Sequence, residues 1–379
     1  MSGPLAGLSV VEIGSIGPGP FAAMVLADLG ARVVRIDRSG GGLAMAPMDP
    51  LLRGRAASLT LDLKRPEAVE VVLRLVERSD VLIEGYRPGV AERLGIGPEA
   101  CAARNGRLIY GRITGWGQDG PRAAEAGHDI DYIAVAGALH PMGPAELPPF
   151  PPLNLIADFG GGGMLAVVGV LAALVEREAS GRGQVVDAAM VDGTALLTTL
   201  LHGMAALGLW SEQRENNLLD GAAPFYRCYR TADDRFVAVG ALEPKFYAAL
   251  IVGLGLDDED LPAQYDRSGW DVLARRFAEV FATGTRDEWA ERFAGVDACV
   301  TPVLGLTEAP SDPHLAGRGV FVTIDGVVQP APAPRFSRSA AGQPLPARVP
   351  GGDAAAVLGD LGYSATEVQD LLTGAARPV

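Results

Sequence analysis

A strand, a tight loop, a helix and a second strand follow one another at the start of this chain, and this order constrains the fold most. Residues 8–13 form a short β-branched run, and a loop rich in glycine and proline follows at 14–20. Residues 21–29 have helical apolar spacing and end at Gly30, and a second β-branched run occupies 33–37. Strands joined through a helix lie parallel, so the unit predicts an α/β fold with helices on the sheet faces.

The alternation of strands and helices continues along the first half of the chain and then changes. Further strands are predicted at 58–63, 81–84, 107–113 and 184–188, and long helices at 164–179 and 191–209. From about 222 onward, a strand pair joined by a short turn indicates antiparallel structure. We therefore predict a large α/β domain at 1–195 with 325–379, a linker helix at 196–221, a smaller α+β domain at 222–312 and a return linker at 313–324.

Charge and cysteine content narrow the partners and the compartment. The chain has 46 acidic and 32 basic residues, a formal net charge of −14, which argues against nucleic acid as a partner. Cys101, Cys228 and Cys299 have neither metal-ligand nor disulfide spacing, so we expect a cytoplasmic protein. The N-terminus lacks a signal-peptide pattern. The apolar stretch 160–175 is too short and too rich in glycine for a membrane span, so we expect a buried helix there.

The first glycine-rich loop invites comparison with a dinucleotide site. Asp37 follows Gly17 by twenty residues, where a ribose-binding carboxylate would stand. The order of the glycines is wrong, however, because the wide gap comes first, and Pro18 and Pro20 remove backbone donors that a pyrophosphate needs. We therefore expect a tight turn between strand and helix, and no nicotinamide or flavin cofactor.

Two residues are candidate proton carriers. His128, one of only four histidines, stands between a glycine and an aspartate after the turn-rich run 115–121. Asp158 ends an apolar run directly before four glycines, 160–163, where we expect a flexible loop and then a long helix. A histidine and an aspartate on two loops can exchange protons with one substrate atom. Two simpler roles stay open: His128 can cap a helix or bond a neighbouring aspartate, and Asp158 can be an N-cap.

Basic residues follow several predicted strands. The carboxyl ends of parallel strands are where open α/β sheets bind ligands, and guanidinium groups suit phosphate. Taken singly, each of these residues is more typical of a solvated surface, and Glu243 likewise resembles a surface carboxylate before a helix. The basic residues are Arg38, Lys64, Arg65, Arg87 and Arg93.

Short motifs spread over nearly the whole chain. They include Gly17-Pro18-Gly19-Pro20, Asp28-Leu29-Gly30-Ala31, Tyr86-Arg87-Pro88-Gly89-Val90, Gly127-His128-Asp129-Ile130, Asp158-Phe159-Gly160-Gly161, Glu243-Pro244 and Asp312-Pro313-His314. As a set they resemble the family III CoA-transferase (CaiB/BaiF-like) superfamily, most closely its α-methylacyl-CoA racemase branch. The resemblance implies a Rossmann-like large domain that binds CoA, and an interlocked homodimer in which the partner's small domain closes the site.

The resemblance also implies roles for individual residues. The positions expected to bind CoA are Arg38, Leu61, Asp62, Leu63, Lys64, Gly85, Tyr86, Arg87 and Arg93. Those expected around the thioester are Gly127, Asp129, Ile130, Asp131 and Tyr132, with Tyr226 at the acyl pocket. The family's catalytic positions match His128 and Asp158, with Glu243 assisting the histidine from the other chain.

The implied activity is interconversion of (2R)- and (2S)-2-methylacyl-CoA thioesters through an enolate. CoA is then part of the substrate, and neither a metal nor a redox cofactor is expected. An alternative is CoA transfer with Asp158 as the nucleophile, but members of that branch generally lack the histidine. A further alternative is a CoA-binding protein without catalysis, for which both residues would be dispensable.

Overall fold

The computed structural model describes residues 2–38 and 49–375, with side chains up to residue 372. The chain forms two compact units. The first takes residues up to 136, 152–197 and the chain from 317 onward, and the second takes 137–151 and 198–316. The predicted large domain included 137–151, which belongs instead to the second unit, and it also included 39–48, which lie outside the described residues.

A six-stranded parallel sheet forms the centre of the first unit. Its spatial order is β3-β2-β1-β4-β5-β6, so the direction of strand progression reverses between β1 and β4. Ligands in such sheets bind outside the carboxyl ends of the strands at this reversal. The strands are β1 (Ser9–Ile13), β2 (Arg32–Arg38), β3 (Ala57–Leu61), β4 (Val81–Glu84), β5 (Ile109–Thr114) and β6 (Gln184–Ala189).

Helices cover both faces of this sheet because its strands are apolar on both sides. Successive side chains of a strand point to opposite faces. Thus Val11 and Ile13 join one buried cluster, and Val10 joins the other. The first-unit helices are α1 (Pro18–Asp28), α2 (Pro66–Glu77), α3 (Val90–Arg93), α4 (Pro98–Arg104), α5 (Asp129–Val135), α6 (Leu165–Ser180), α7 (Met190–Leu197), α13 (Ala354–Asp360) and α14 (Ala365–Ala375).

A π-helix, Leu155–Met164, replaces the flexible glycine loop expected from the sequence. It continues directly into α6, and the joint run Leu155–Ser180 is long and apolar enough to cross a membrane by length and composition. One side of α6 packs on the sheet through small and β-branched residues, including Ala166 and Val170. Its other side is open, with Val175 75% exposed, so the predicted buried helix is buried on one face only.

The second unit is built around a three-stranded antiparallel sheet in the order β7-β8-β9. Aromatic side chains, among them Phe225, Phe277 and Phe281, fill its core. Residues 137–151 attach to it because the Arg214 guanidinium donates to the carbonyls of Pro144, Ala145 and Leu147. The elements are α8 (Thr199–Ala206), β7 (Tyr226–Arg230), β8 (Phe236–Gly240), α9 (Pro244–Leu254), α10 (Trp270–Phe281), α11 (Arg286–Arg292) and β9 (Val300–Pro302).

The segment predicted as a single helix over 191–209 is two helices, because α7 ends at Leu197 and α8 begins at Thr199. The backbone of Thr198, with ψ of 6°, interrupts the helical path. The predicted linker helix 196–221 is therefore helical only as far as Ala206. The chain re-enters the first unit through α12 (Pro313–Arg318) and the hairpin β10 (Phe321–Ile324) and β11 (Val327–Pro330).

Candidate active site

His128 stands at the residue that starts α5. Its backbone is extended, with φ of −130° and ψ of 175°, and its N–H donates to the Asp131 carboxylate at 2.9 Å. Asp131 thus satisfies an amide at the start of the helix, as acidic residues in a first turn do. The imidazole itself is exposed to solvent.

Asp158 lies in the first turn of the π-helix and not on a loop. Its side chain is half-buried, and Asn154 Nδ2, one helical turn earlier, donates to its Oδ2 at 3.1 Å. Burial raises the pKa of Asp158. The negative charge of Asp129 also raises this pKa, whereas the Asn154 hydrogen bond and the nearby His128 lower it. The structure therefore brings His128 and Asp158 within electrostatic reach of one another.

Asp129 links the two candidate carriers. Its side chain is 4% exposed, and its Oδ2 accepts the N–H groups of Ala157 at 2.7 Å and of Asp158 at 2.8 Å. The sequence analysis grouped Asp129 with residues around the thioester, but this carboxylate is occupied by two backbone amides. The helix that begins after His128 is thereby fastened to the helix that carries Asp158.

Tyr132 holds the segment before His128 in place. Its hydroxyl donates to the Gly127 carbonyl at 2.6 Å, and its ring meets Trp116 edge-to-face at 4.8 Å. A Cβ on Gly115 would lie 2.1 Å from the tyrosine ring, and one on Gly127 would lie 2.7 Å from it. Both glycines are therefore required for the backbone to pass so close. Burial raises the pKa of Tyr132 to about 12, and the charge of Asp158 adds to this effect.

Sequence reasoning missed two neighbours of Asp158. Asn154 precedes it by four residues, a spacing that pairs side chains only on a helix, and a loop was expected there. Gly17, interpreted only as part of a turn, has φ of +73°, and a Cβ on it would lie 3.3 Å from Asp158 Oδ2. The turn between β1 and α1 thus forms one wall of the site around Asp158.

The segment 85–87, which follows β4, is fixed by a buried charge pair. The Tyr86 N–H donates to Glu84 Oε2 at 2.6 Å, and Glu84 Oε1 accepts from Arg112 Nε at 3.0 Å. Arg112 also pairs with Glu92 at 2.8 Å. Burial raises the pKa of Glu84, while the Tyr86 amide and Arg112 act in the opposite direction. Gly85 and Arg87, both exposed, are held at the carboxyl edge of the sheet by this network.

Four exposed basic side chains follow strands β2, β3 and β4 on the same edge. Within residues 2–38 and 49–372, none of them forms an ion pair. Burial raises the pKa of the Tyr86 phenol, and Arg38 lies near enough to act in the opposite direction. This edge of the sheet therefore offers an anionic ligand four cations that have no ion-pair partner among the described residues. The four are Arg38, Lys64, Arg87 and Arg93.

Other predicted positions are placed differently. Leu61 and Leu63 are buried in the core, so only their backbone can face a ligand. Asp62 Oδ1 accepts the Lys64 N–H at 3.1 Å and shapes the turn after β3. Ile130 is 45% exposed beside His128. Within the described ranges no cluster of three or more metal-ligating side chains is present.

Glu243 and Tyr226 belong to the second unit. Glu243 is exposed at the N-cap of α9, where its carbonyl accepts the N–H groups of Phe246 and Tyr247. Tyr226 is the first residue of β7 and is 37% exposed. Their roles toward His128 and toward an acyl group stay predictions.

A six-stranded Rossmann-like sheet with this site is the arrangement of one class of protein, the CoA-transferase family III. The chain belongs to this family, whose model matches residues 5–352. It is 48% identical over 371 residues to the alpha-methylacyl-CoA racemase of Mus musculus, covering 97% of this chain and 96% of that protein. It is 50% identical over 331 residues to the alpha-methylacyl-CoA racemase of Homo sapiens, covering 87% and 86%. The resemblance drawn from the motifs is confirmed.

A solved structure supports the fold. The crystal structure of a CAIB/BAIF family protein from Brucella suis has a TM-score of 0.82 and 25% sequence identity, and the match covers 95% of this chain and 100% of that one. The α/β prediction with a parallel sheet is therefore confirmed.

Proposed function

We propose that this protein is a racemase that interconverts the (2R) and (2S) forms of 2-methylacyl-CoA thioesters. The observation that carries the proposal is the pairing of His128 with Asp158, joined through Asp129, at the carboxyl edge of the sheet. The mouse and human relatives are alpha-methylacyl-CoA racemases, which supports the same reaction for this chain. Inversion at one carbon requires two proton carriers on opposite faces, and we assign these two roles to His128 and Asp158.

The reaction moves one proton and consumes nothing. One carrier takes the Cα proton, and the electron pair of the C–H bond moves to the thioester oxygen to give an enolate. The other carrier then returns a proton to the opposite face, and the C=O bond re-forms. Burial raises the pKa of Asp158, which favours the protonated carboxyl group that a proton donor needs.

The enolate oxygen needs fixed hydrogen-bond donors, because the α-proton of a thioester is far less acidic than an imidazolium. The amides of the glycine run 160–163 do not serve this purpose, because they donate within the π-helix, whose N–H groups bond five residues back. The amides of Asp129 and Ile130 precede the first intrahelical bonds of α5 and adjoin His128. These two amides are the donors that we propose.

The unpaired cations fit the rest of the substrate. CoA carries phosphates, and guanidinium groups bind them through paired N–H donors. We propose that Arg38, Lys64, Arg87 and Arg93 hold the nucleotide end, with Tyr86 positioned among them by Glu84. The thioester end would then reach His128.

Deuterium incorporation tests the proposed reaction. A (2S)-2-methylacyl-CoA incubated with the enzyme in D₂O, with no second carboxylic acid, should acquire deuterium at Cα and lose its optical purity. His128→Ala and Asp158→Ala should each abolish the loss of optical purity, because inversion needs both carriers. A CoA-transferase would show neither change and would turn over only when an acceptor acid is added, and that result would refute the proposal.

We further propose an interlocked homodimer in the cytoplasm, with Glu243 of each chain assisting His128 of the other. Large apolar side chains support an extended interface, because Val175, Leu200 and Leu207 are each more than 60% exposed. Subunit exchange tests this arrangement. His128→Ala and Glu243→Ala, each nearly inactive alone, should regain about a quarter of full activity when co-expressed, because half of the dimers then carry one intact site. No gain on co-expression would mean that each site is built from one chain.

A further inference from the structure

The Asp129 carboxylate occupies an unusual position for a charged group. It is 4% exposed, and its Oδ2 receives two amide N–H groups, one of which belongs to Asp158 itself. Its Oδ1 accepts no hydrogen bond from any residue that the structure describes. Burying an ionised carboxylate with one oxygen unsatisfied is costly. A neutral side chain could accept hydrogen bonds from the same two amides. Hydrogen bonding alone therefore does not explain why the residue at this position is charged.

The connections of Asp129 suggest that reason. It follows His128 directly in the chain, and it bonds the backbone of Asp158. A shift of this one side chain would therefore alter the distance between the two proton carriers. Its negative charge also acts on the Asp158 carboxyl group. The other polar groups that interact with this carboxyl group are His128, Asn154 and the Tyr132 phenol.

We propose that Asp129 is a positioning residue that sets the separation of His128 and Asp158 and, as a buried charge bonded to the Asp158 amide, the field at the Asp158 carboxyl group. The inference rests on the proposed racemase function and goes beyond it, because the carboxylate of Asp129, unlike its backbone amide, would act through His128 and Asp158 and not on the substrate. The bond between Asp129 and the two amides is the geometric part, and the field at Asp158 is the electrostatic part.

Two substitutions separate these parts. Asp129→Asn keeps the shape and one acceptor oxygen but removes the charge, whereas Asp129→Ala removes both. The matched control is Asp80→Asn. The Asp80 carboxylate also accepts a backbone amide, that of Ser9 at 3.0 Å, but at the opposite edge of the sheet, where it pairs with Arg177. It reports what the loss of a structural carboxylate does to stability alone.

The alanine variant should lose catalysis more than binding. A displacement of catalytic groups by about 1 Å costs about 100-fold in rate, so kcat for deuterium exchange should fall about 100-fold. KM should change little, because the cations that bind CoA lie elsewhere. Asp80→Asn should keep both constants. A kcat for Asp129→Ala within twofold of the unmodified enzyme would overturn the geometric part.

The asparagine variant should change the pH profile. Loss of the Asp129 charge lowers the pKa of Asp158, so the acid limb of kcat/KM should move to lower pH. The limb should move equally for both epimers, because the equilibrium constant between them does not depend on pH. An unmoved limb with unchanged kcat would overturn the electrostatic part. Should the alanine variant aggregate, the asparagine variant still carries the test.

A readout without turnover keeps this inference distinct from the proposed function. The carboxyl ¹³C resonance of Asp158, assigned with Asp158→Asn, can be titrated in the enzyme and in Asp129→Asn. A lower titration midpoint in the variant supports the positioning role even if no acyl-CoA exchanges deuterium. Equal midpoints would overturn the electrostatic part while leaving the racemase proposal intact.

Discussion

The contact between α7 and the π-helix provides the sharpest test of how Asp158 is held. A Cβ on Gly193 would lie 2.0 Å from the Gly161 carbonyl oxygen, whereas real Cβ contacts stay above 3.0 Å. Gly193→Ala therefore forces the two helices apart by at least the difference, 1.0 Å. Gly161 is only three residues from Asp158, so the displacement reaches the carboxyl group.

Two quantities follow from this displacement. Overpacking of a buried contact costs about 1–3 kcal/mol, so the midpoint of urea unfolding should fall. A 1 Å misplacement of a catalytic group costs about 100-fold, so kcat for deuterium exchange should fall by that order. KM for the acyl-CoA should stay near its original value, because the cations proposed to bind CoA follow strands β2, β3 and β4 and do not belong to the π-helix or α7.

The control is Gly359→Ala. Gly359 lies in α13 of the same unit, and nothing lies within 4 Å of the Cβ that the substitution adds. Alanine there should leave kcat unchanged and raise stability by up to about 1 kcal/mol. If Gly193→Ala kept both the stability and the kcat of the unmodified enzyme, the helices could separate without moving Asp158. The reasoning about its fixed position would then be refuted.

Three further outcomes are expected. Gly17→Ala should cost about 1–2 kcal/mol in urea unfolding because φ is +73°, and it should slow exchange because the new Cβ lies 3.3 Å from Asp158 Oδ2; full activity would contradict this. Tyr132→Phe should cost about 1–1.5 kcal/mol, since the Gly127 carbonyl loses its 2.6 Å hydrogen bond, and an unchanged unfolding midpoint would count against that bond. The hydrogen bond from the Arg286 guanidinium lowers the pKa of Glu308 to about 2. The stabilising effect of this bond is therefore complete above pH 4.5, the ordinary pKa of the group, and is lost as the pH falls towards 2. Unfolding midpoints measured over this range should therefore fall less steeply for Glu308→Gln, and parallel curves would contradict the pairing.

The parallel sheet could be predicted because its strands are continuous β-branched runs bounded by glycine and proline. The expected strand 33–37 lies inside β2, and the expected 58–63 overlaps β3. Strands buried on both faces are rich in such residues, so the pattern has few competing interpretations even though charged side chains such as Glu12 and Arg35 are buried within the sheet. The motifs around His128 and Asp158 also predicted that the two act together. The structure places them within electrostatic reach, and their joint role stays a prediction.

The π-helix could not be predicted, because glycine is a poor helix former and four of them suggest a loop. Contacts distant in sequence decide the outcome: Gly161 and Gly163 pack against α7 and α1 so closely that no side chain would fit. The same reason hid the role of Asn154. The assignment of 137–151 to the second unit depends on Arg214, some seventy residues later, which local patterns do not reveal.

The unpaired cations at the sheet edge have a consequence for how a ligand arrives. The protein as a whole carries a formal charge of −14, so a polyanion approaching from most directions is repelled. At physiological ionic strength these fields fade within about 8 Å, and at shorter range the exposed cations Arg38, Lys64, Arg87 and Arg93 attract an anion. Added salt then has two opposing effects. It weakens the general repulsion that slows the approach of a polyanion to the protein, and it weakens the local attraction that would retain the phosphates of a bound ligand. Arrival and release should therefore respond differently to ionic strength.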